Sequence, residues 1–143
     1  MFAFPIRVYW EDTDAGGIVF YANYLKFMER ARTEWLRSLS ISQQVLKEQT
    51  GGMFVVTDTQ LKHLSPARLD DELSVSVKIV ERGRASMKIS QEIRLIRPPL
   101  LREVLQNRES EHLVCQGTIC IAWVDSGTLK PGRIPLSISE KLI

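Results

Sequence analysis

A long helix with a broad apolar face, followed mainly by strands, limits the folds that this chain can adopt. Apolar residues recur at spacings of three and four from about Ala22 to Leu39, which is the period of an amphipathic helix. The stripe contains Tyr24, Met28, Ala31, Trp35 and Leu39, and Leu25, Phe27 and Leu36 widen it. Because so broad a face must be covered, the pattern predicts a helix buried against a sheet.

Segments of alternating apolar and polar residues predict the strands of that sheet. They are residues 4–10, 54–64, 72–81, 85–96 and 113–124. We expect the four later strands to be mostly antiparallel neighbours and the first strand to pair with them. The prediction is a single domain over residues 1–143, of the α+β class, with one long helix wrapped by a curved antiparallel sheet.

The remaining segments add little regular structure. Residues 41–49 predict a short extra helical turn, and the tail after Asp125 is rich in glycine and proline and reads as mostly irregular. Residues 97–112 form a connection of uncommon length, with leucines and a valine that predict one or two amphipathic turns. Free sheet edges favour aggregation, and pairing them across a two-fold axis removes them, so we expect at least a dimer.

Composition excludes several classes of function. A net charge of +2 is too small to indicate a nucleic-acid surface, and no apolar run approaches the roughly 20 residues that cross a bilayer. Charges at Arg7, Glu11 and Asp12 interrupt the first segment before it reaches the length of a signal peptide, so we expect a cytoplasmic protein.

Cysteine and histidine usage predicts no metal site. Cys115 and Cys120 are five residues apart in one strand, so we expect free thiols that point to opposite faces. Two histidines and two cysteines, scattered along the chain, do not make a zinc-ligand spacing. No residue cluster predicts a metal or a redox cofactor.

The loop from Glu11 to Gly17 is the strongest candidate for chemistry. It holds three carboxylates in four residues, then two glycines, and it leads into the predicted helix. A helix start supplies unpaired N–H groups that stabilise an oxyanion, and a nearby carboxylate can attack or activate water, so the pattern suits acyl transfer. The alternative is a solvated turn, in which aspartate and glycine serve the backbone geometry alone.

Three stretches of the sequence resemble a known family. They are RVYWEDTDAGGIVFYANY at 7–24, FMERARTE at 27–34 and SPARLDD at 65–71. The first resembles the signature of the 4-hydroxybenzoyl-CoA thioesterase family of hotdog-fold proteins, and within it the YbgC-type acyl-CoA thioesterases. The resemblance extends from the first strand to about Val124.

This resemblance implies a fold, a reaction and a catalytic residue. The fold is a long helix wrapped by a five-stranded antiparallel sheet, and the reaction is hydrolysis of an acyl-CoA thioester to a free acid and CoA. The family's catalytic aspartate falls on Asp14, as nucleophile or as general base for water, and the sequence does not choose between these roles. Backbone N–H groups of Gly17, Ile18 and Tyr21 would polarise the thioester oxygen.

Position 21 departs from part of the family. YbgC-type proteins often carry histidine there, whereas the hydroxybenzoyl-CoA type carries tyrosine, as Tyr21 does here. A tyrosine donates a hydrogen bond but is not a base near neutral pH. We therefore assign Tyr21 a catalytic role as a hydrogen-bond donor and not as a base. The alternative for Tyr21 is an aromatic residue that only packs at the start of the helix.

Further assignments concern binding and structure. For CoA phosphates the first choices are Arg82 and Arg84, with Ser86 and Lys88 as second choices, and the alternative is an ordinary hairpin. Asn23 either caps the helix, which we favour, or positions substrate. We expect Asp12 to order the loop and Arg68 to form a structural ion pair. We expect Glu29, Arg30, Arg32 and Glu34 to form solvated or subunit-facing ion pairs, and His63 to pack against a neighbour.

The leading functional hypothesis is an acyl-CoA thioesterase, with CoA as part of the substrate and no cofactor. The alternative is a non-catalytic module on the same fold that binds acyl-CoA or acyl carrier protein. We expect a homodimer or a homotetramer, and the sequence does not choose between them. The resemblance allows acyl carrier protein or lipid-synthesis proteins as partners, with residues 97–112 as the contact. The alternative for residues 97–112 is a loop that packs on its own subunit.

Overall fold

The fold is a five-stranded antiparallel sheet with one long helix on its inner face. The computed structural model describes residues 1–96 and 112–142. Within them the strands are β1 (Phe2–Arg7), β2 (Gly52–His63), β3 (Glu72–Arg82), β4 (Ser86–Ile96) and β5 (Leu113–Asp125), in the order β1-β3-β4-β5-β2. The predicted α+β class and the antiparallel pairing are confirmed, and β1 pairs with β3.

Two of the helices agree with the predicted positions, and a third, short one lies in the tail that was predicted to be mostly irregular. The long helix α1 spans Asn23–Ser38, α2 spans Gln43–Thr50, and a single turn, α3, spans Leu136–Ser139 in the tail. No helix within the described residues is long and apolar enough to cross a membrane. The amphipathic turns predicted for residues 97–112 lie outside the described residues, except for His112.

The core lies between α1 and the sheet, as the stripe on α1 predicts. Phe27, Met28 and Ala31 are completely buried on the helix, and they face fully buried strand residues such as Leu73 and Ile89. Alternation along the strands produces this arrangement, because every second side chain points to the inner face. Leu25 was predicted to belong to the stripe, but it is 40% exposed and is not part of the buried core.

The first strand ends earlier than the alternation predicts. Residues 4–10 read as one strand, but β1 stops at Arg7 and Trp10–Asp12 form a turn of 3-10 helix. The reason is a competing hydrogen bond, since the Tyr9 N–H donates to the carboxylate of Asp12 at 2.8 Å. Trp10, expected on the inner side with Ile6 and Val8, is instead 80% exposed.

The edge strands differ in how they are exposed. β1 and β2 are the two edges of the sheet, and β2 carries a bulge between Val56 and Asp58. On β2 the side chains of Val56, Thr59 and His63 are exposed although their partners on β5 belong to the core. The inner face of β2 is therefore only partly covered by its own chain.

The two thiols should differ in reactivity. Cys115 is completely buried, whereas Cys120 is half-buried on the opposite face of β5. Burial raises the pKa of the Cys115 thiol to about 11, so almost none of the nucleophilic thiolate exists near neutral pH. We expect dithionitrobenzoate at pH 8 to modify one thiol per native chain and the second only in denaturant. Rapid modification of both native thiols would contradict this packing.

Candidate active site

Asp12 organises the loop that joins β1 to α1. Its side chain is 5% exposed, and its carboxylate accepts the Tyr9 N–H. Its carbonyl oxygen accepts two further hydrogen bonds, from the Phe20 N–H and from the Asn23 side-chain amide, each at 2.9 Å. Asp12 thus has the ordering role predicted for it, and it connects the end of β1 to the start of α1.

Asn23 does not cap the helix. The N-cap of α1 is Ala22, and no side chain bonds there. Asn23 is instead buried, and its amide donates to the Asp12 carbonyl, so the favoured capping role is wrong. The physical reason is that Asn23 is already the first residue of the helix, so its side chain is not at the capping position and instead bonds the loop that precedes it.

Asp14 lies at the head of a tight turn. Its N–H donates to the Ile18 carbonyl at 2.9 Å, and its carboxylate Oδ1 accepts the Gly16 N–H at 2.8 Å. Gly17 has a φ of +79°, which a glycine adopts without steric cost. The Asp14 side chain is exposed, and among the described residues its Oδ2 has no hydrogen-bond partner. One carboxylate oxygen therefore holds the turn, and the other has no hydrogen bond among the described residues.

The backbone donors near Asp14 divide into engaged and open groups. The Gly17 N–H donates to the Asp14 carbonyl at 3.1 Å, so the predicted role of Gly17 as an oxyanion donor is not supported. The N–H groups of Ile18 and Tyr21 have no acceptor within residues 1–96 and 112–142. Two of the three predicted donors thus remain open to a ligand.

Residues 65–71 bond both the loop and the start of α1. The Val19 N–H donates to the Ala67 carbonyl at 2.9 Å, and the Ala67 N–H donates to the Tyr24 hydroxyl at 3.1 Å. Burial raises the pKa of Tyr24, although the Ala67 hydrogen bond opposes the shift, so Tyr24 stays neutral as an acceptor. Arg68 forms no ion pair among the described residues, which corrects the prediction made for it.

An aromatic cluster lies where α1 begins. The His63 ring is 6.3 Å from the Tyr21 ring and 5.6 Å from the Tyr24 ring, measured between centroids. His63 packs against neighbours, as predicted, and places the end of β2 beside the loop. Tyr21 is 66% exposed, so its hydroxyl is accessible.

Arg82, Arg84 and Ser86 lie at the opposite end of the sheet. β3 begins beside the loop, since Asp71 pairs with Val8, and runs to Arg82, a length of about 33 Å at the usual rise per residue. Arg82 and Arg84 are exposed and form no ion pair with any described residue. One protomer therefore does not bring these residues to Asp14.

The sequence analysis predicted the wrong environment for Arg32. We predicted a solvated or subunit-facing ion pair, but the residue is only 7% exposed. Its guanidinium donates to Gln91 at 2.7 Å and to the Glu29 carboxylate at 2.6 Å. A signal was available, because Arg32 lies four residues after Met28 and four before Leu36, both on the buried stripe.

The described residues offer no metal centre. No group of three or more histidine, cysteine, aspartate or glutamate side chains is placed to hold a metal ion in the part of the chain that the structure describes. The chemical capacity of the site is therefore an outward carboxylate and nearby N–H donors, the arrangement used in acyl transfer.

Comparison with known proteins shows the class to which this fold and site belong. The family model described as the thioesterase superfamily matches residues 16–100. This chain belongs to the thioesterase superfamily, and the predicted family is confirmed.

Individual relatives narrow the position within the family. The acyl-CoA thioesterase YbgC of Haemophilus influenzae is 40% identical over 137 residues, which are 96% of this chain and 90% of that protein. The acyl-CoA thioester hydrolase YbgC of Escherichia coli is 38% identical over 138 residues, 96% of this chain and 92% of that protein.

Solved structures agree with the fold. A 1,4-dihydroxy-2-naphthoyl-CoA thioesterase from Synechocystis superposes with a TM-score of 0.83 at 20% identity, covering 99% of this chain and 94% of that one. A probable thioesterase from Bartonella henselae gives 0.78 at 28% identity, with 94% of this chain and 98% of that one covered.

The Tyr24 hydroxyl should matter for stability and the Tyr21 hydroxyl should not. Tyr24→Phe leaves the buried Ala67 N–H without an acceptor, which costs about 1–3 kcal/mol. Tyr21→Phe is the matched control, since no hydrogen bond of its exposed hydroxyl occurs among the described residues. Urea unfolding should show the loss for the first variant only. Equal stability of the two variants would contradict the supporting role of Tyr24.

Proposed function

We propose that this protein hydrolyses acyl-CoA thioesters to a free acid and CoA, with Asp14 as the reacting carboxylate. The observation that carries the proposal is the outward Oδ2 of Asp14 on a turn whose neighbours, Ile18 and Tyr21, have open N–H groups. Relatives up to 40% identical are named acyl-CoA thioesterases, which supports the same substrate class here.

Two routes are consistent with this arrangement. In the first, the Asp14 carboxylate attacks the thioester carbonyl, CoA leaves as a thiolate that takes up a proton, and water hydrolyses the resulting anhydride. In the second, Asp14 takes a proton from a water that attacks the carbonyl, the C–S bond breaks, and the CoA thiolate leaves and takes up that proton. In both routes the carbonyl oxygen gains negative charge, and the N–H groups of Ile18 and Tyr21 would stabilise it. The exposed Tyr21 hydroxyl can donate a hydrogen bond to the substrate.

A dimer would complete the site. Gly52 pairs with Asp125, and Ser86 pairs with Ala122, so the start of β2 lies at the Arg82–Ser86 end of the sheet. The other end of β2, His63, lies at the loop. Antiparallel pairing of two β2 edges across a two-fold axis therefore brings Arg82 and Arg84 of the partner subunit towards Asp14. In that arrangement the two arginines would supply cations for the CoA phosphates.

Removing the charge of Asp14 should abolish turnover. We expect Asp14→Asn to lower kcat at least about 100-fold, because the amide neither attacks the carbonyl nor accepts a proton. Glu11→Gln is the matched control, since it removes an exposed carboxylate from the same loop. Thiol release from a panel of acyl-CoAs measures both.

The outcomes separate the enzyme from a binding module. Full activity of Asp14→Asn would show that the assigned site is wrong. A native protein that binds acyl-CoA but releases no thiol would favour the non-catalytic alternative.

The two turn arginines should affect substrate binding and not chemistry. We expect the double substitution Arg82→Gln and Arg84→Gln to raise KM for acyl-CoA by roughly ten-fold, about 1.4 kcal/mol, with kcat little changed. The effect should shrink in high salt, because exposed charges are screened. Arg37→Gln, another exposed arginine, is the control. An unchanged KM would remove these residues from the CoA site.

A further inference from the structure

The ring of His63 lies between a buried tyrosine and an exposed one. Its centroid is 5.6 Å from the ring centroid of Tyr24 and 6.3 Å from that of Tyr21, and both distances are in the range of direct ring contact. Tyr24 is 4% exposed, whereas Tyr21 is 66% exposed. The imidazole ring therefore connects the side chain of Tyr21 to the buried start of α1.

Tyr24 is fixed at both ends of its side chain. Its hydroxyl accepts the Ala67 N–H at 3.1 Å. Its ring makes an edge-to-face contact with Phe27, which is completely buried, at 6.1 Å between centroids. The His63 ring thus packs on a tyrosine that is itself held in place.

The backbone of His63 is anchored as well. His63 is the last residue of β2 and pairs with Cys115 of β5, which is completely buried. The N–H groups of Leu64 and Ser65, which follow it, both donate to the Val114 carbonyl, at 2.9 and 3.1 Å. These bonds fix the point from which the imidazole ring extends.

Backbone pairing holds Tyr21 beside the turn that carries Asp14. The Phe20 N–H donates to the Asp12 carbonyl at 2.9 Å, and the Asp14 N–H donates to the Ile18 carbonyl at 2.9 Å. Residues 12–14 and 18–20 are therefore antiparallel neighbours, and Tyr21 comes directly after the second of these segments. The Tyr21 side chain starts next to the candidate site.

The side chain of Tyr21 has few other constraints. Its hydroxyl has no hydrogen bond among the described residues. The other aromatic contact of its ring there is Phe20, at 4.8 Å, and Phe20 is itself 45% exposed. An exposed side chain changes rotamer rapidly, and each rotamer puts the hydroxyl in a different place. The contact with His63, with the ring planes at 90°, favours one of these rotamers.

We propose that His63 is a positioning residue, which holds the Tyr21 ring so that its hydroxyl donates a hydrogen bond to the thioester carbonyl oxygen. The inference rests on the proposed thioesterase function and adds a residue that acts through Tyr21. A hydrogen bond to an oxygen that becomes negative is stronger in the transition state than in the bound substrate. Loss of this alignment should therefore lower kcat more than it raises KM. The role needs a ring at position 63, because both contacts of His63 with the tyrosines are between rings.

The test measures thiol release from an acyl-CoA that the native protein hydrolyses. We expect His63→Ala to lower kcat by about ten-fold and to change KM by less than about two-fold, because a displaced donor loses alignment and not substrate binding. His63→Phe keeps a ring and should retain the native kcat within about two-fold. Gln60→Ala, at another exposed position of the same edge strand, is the matched control and should leave both constants unchanged.

A double-mutant cycle with Tyr21→Phe shows whether His63 acts through Tyr21. In the Tyr21→Phe background, His63→Ala should have almost no further effect on kcat. His63→Leu fills the position without a ring and is read in the same way if His63→Ala does not fold. Additive losses, a native kcat without the ring, or an equal loss in His63→Phe would overturn the positioning role while the thioesterase function stands.

Nuclear magnetic resonance tests the contact without turnover. The chain has three tyrosines, so isotope-labelled tyrosine rings give few resonances, and Tyr21→Phe identifies that of Tyr21. We expect His63→Ala to shift the Tyr21 resonance and to leave that of Tyr9, which is also exposed, in place. An unmoved Tyr21 resonance would overturn the proposal. A native protein that hydrolyses no acyl-CoA would overturn the proposed function, and the same spectra would still decide whether His63 holds Tyr21.

Discussion

The backbone carbonyl of Asp12 is the point on which the candidate site depends. It accepts the Phe20 N–H and the Asn23 amide, while the Asp12 carboxylate holds the Tyr9 N–H. These bonds join the end of β1 and the start of α1 to one buried residue. Buried polar groups are costly when unpaired, so the loop is held in the one arrangement that satisfies them all. The turn that carries Asp14 follows directly on this buried residue, while the Asp14 side chain stays exposed.

The length of the sheet separates the loop from Arg82 and Arg84 within one protomer. The loop and the paired arginines lie at opposite ends of strands about 33 Å long, so no local rearrangement brings them together. The partly covered inner face of β2 lies beside the loop at one end and beside the arginine turn at the other. The proposed pairing of this edge with a second copy would cover the exposed apolar residue Val56 and would bring the separated binding groups together.

The interior of the protein contains a buried cation, Arg32, as well as apolar side chains. Arg32 occupies a position on the buried stripe of α1 that an apolar residue would fill in a simple core, and desolvation lowers its pKa while Glu29 opposes the shift. Removing one partner of a buried ion pair costs about 3–5 kcal/mol, so the hydrogen bonds to Gln91 and Glu29 are what keep Arg32 at this position.

The sequence by itself determined the fold class, the order of the elements and the loop that carries Asp14, because periods of two and 3.6 and a local motif are visible along the chain. It placed the end of β1 three residues too late, since the bond from Tyr9 to Asp12 outweighs alternation. The hydrogen bond from Asn23 to Asp12 and the hydrogen bond from Arg32 to Gln91 were decided by the tertiary structure. Each of these hydrogen bonds depends on a partner that folding brings close. Gln91, for example, is 59 residues from Arg32 in the sequence, and a local sequence pattern does not identify so distant a partner.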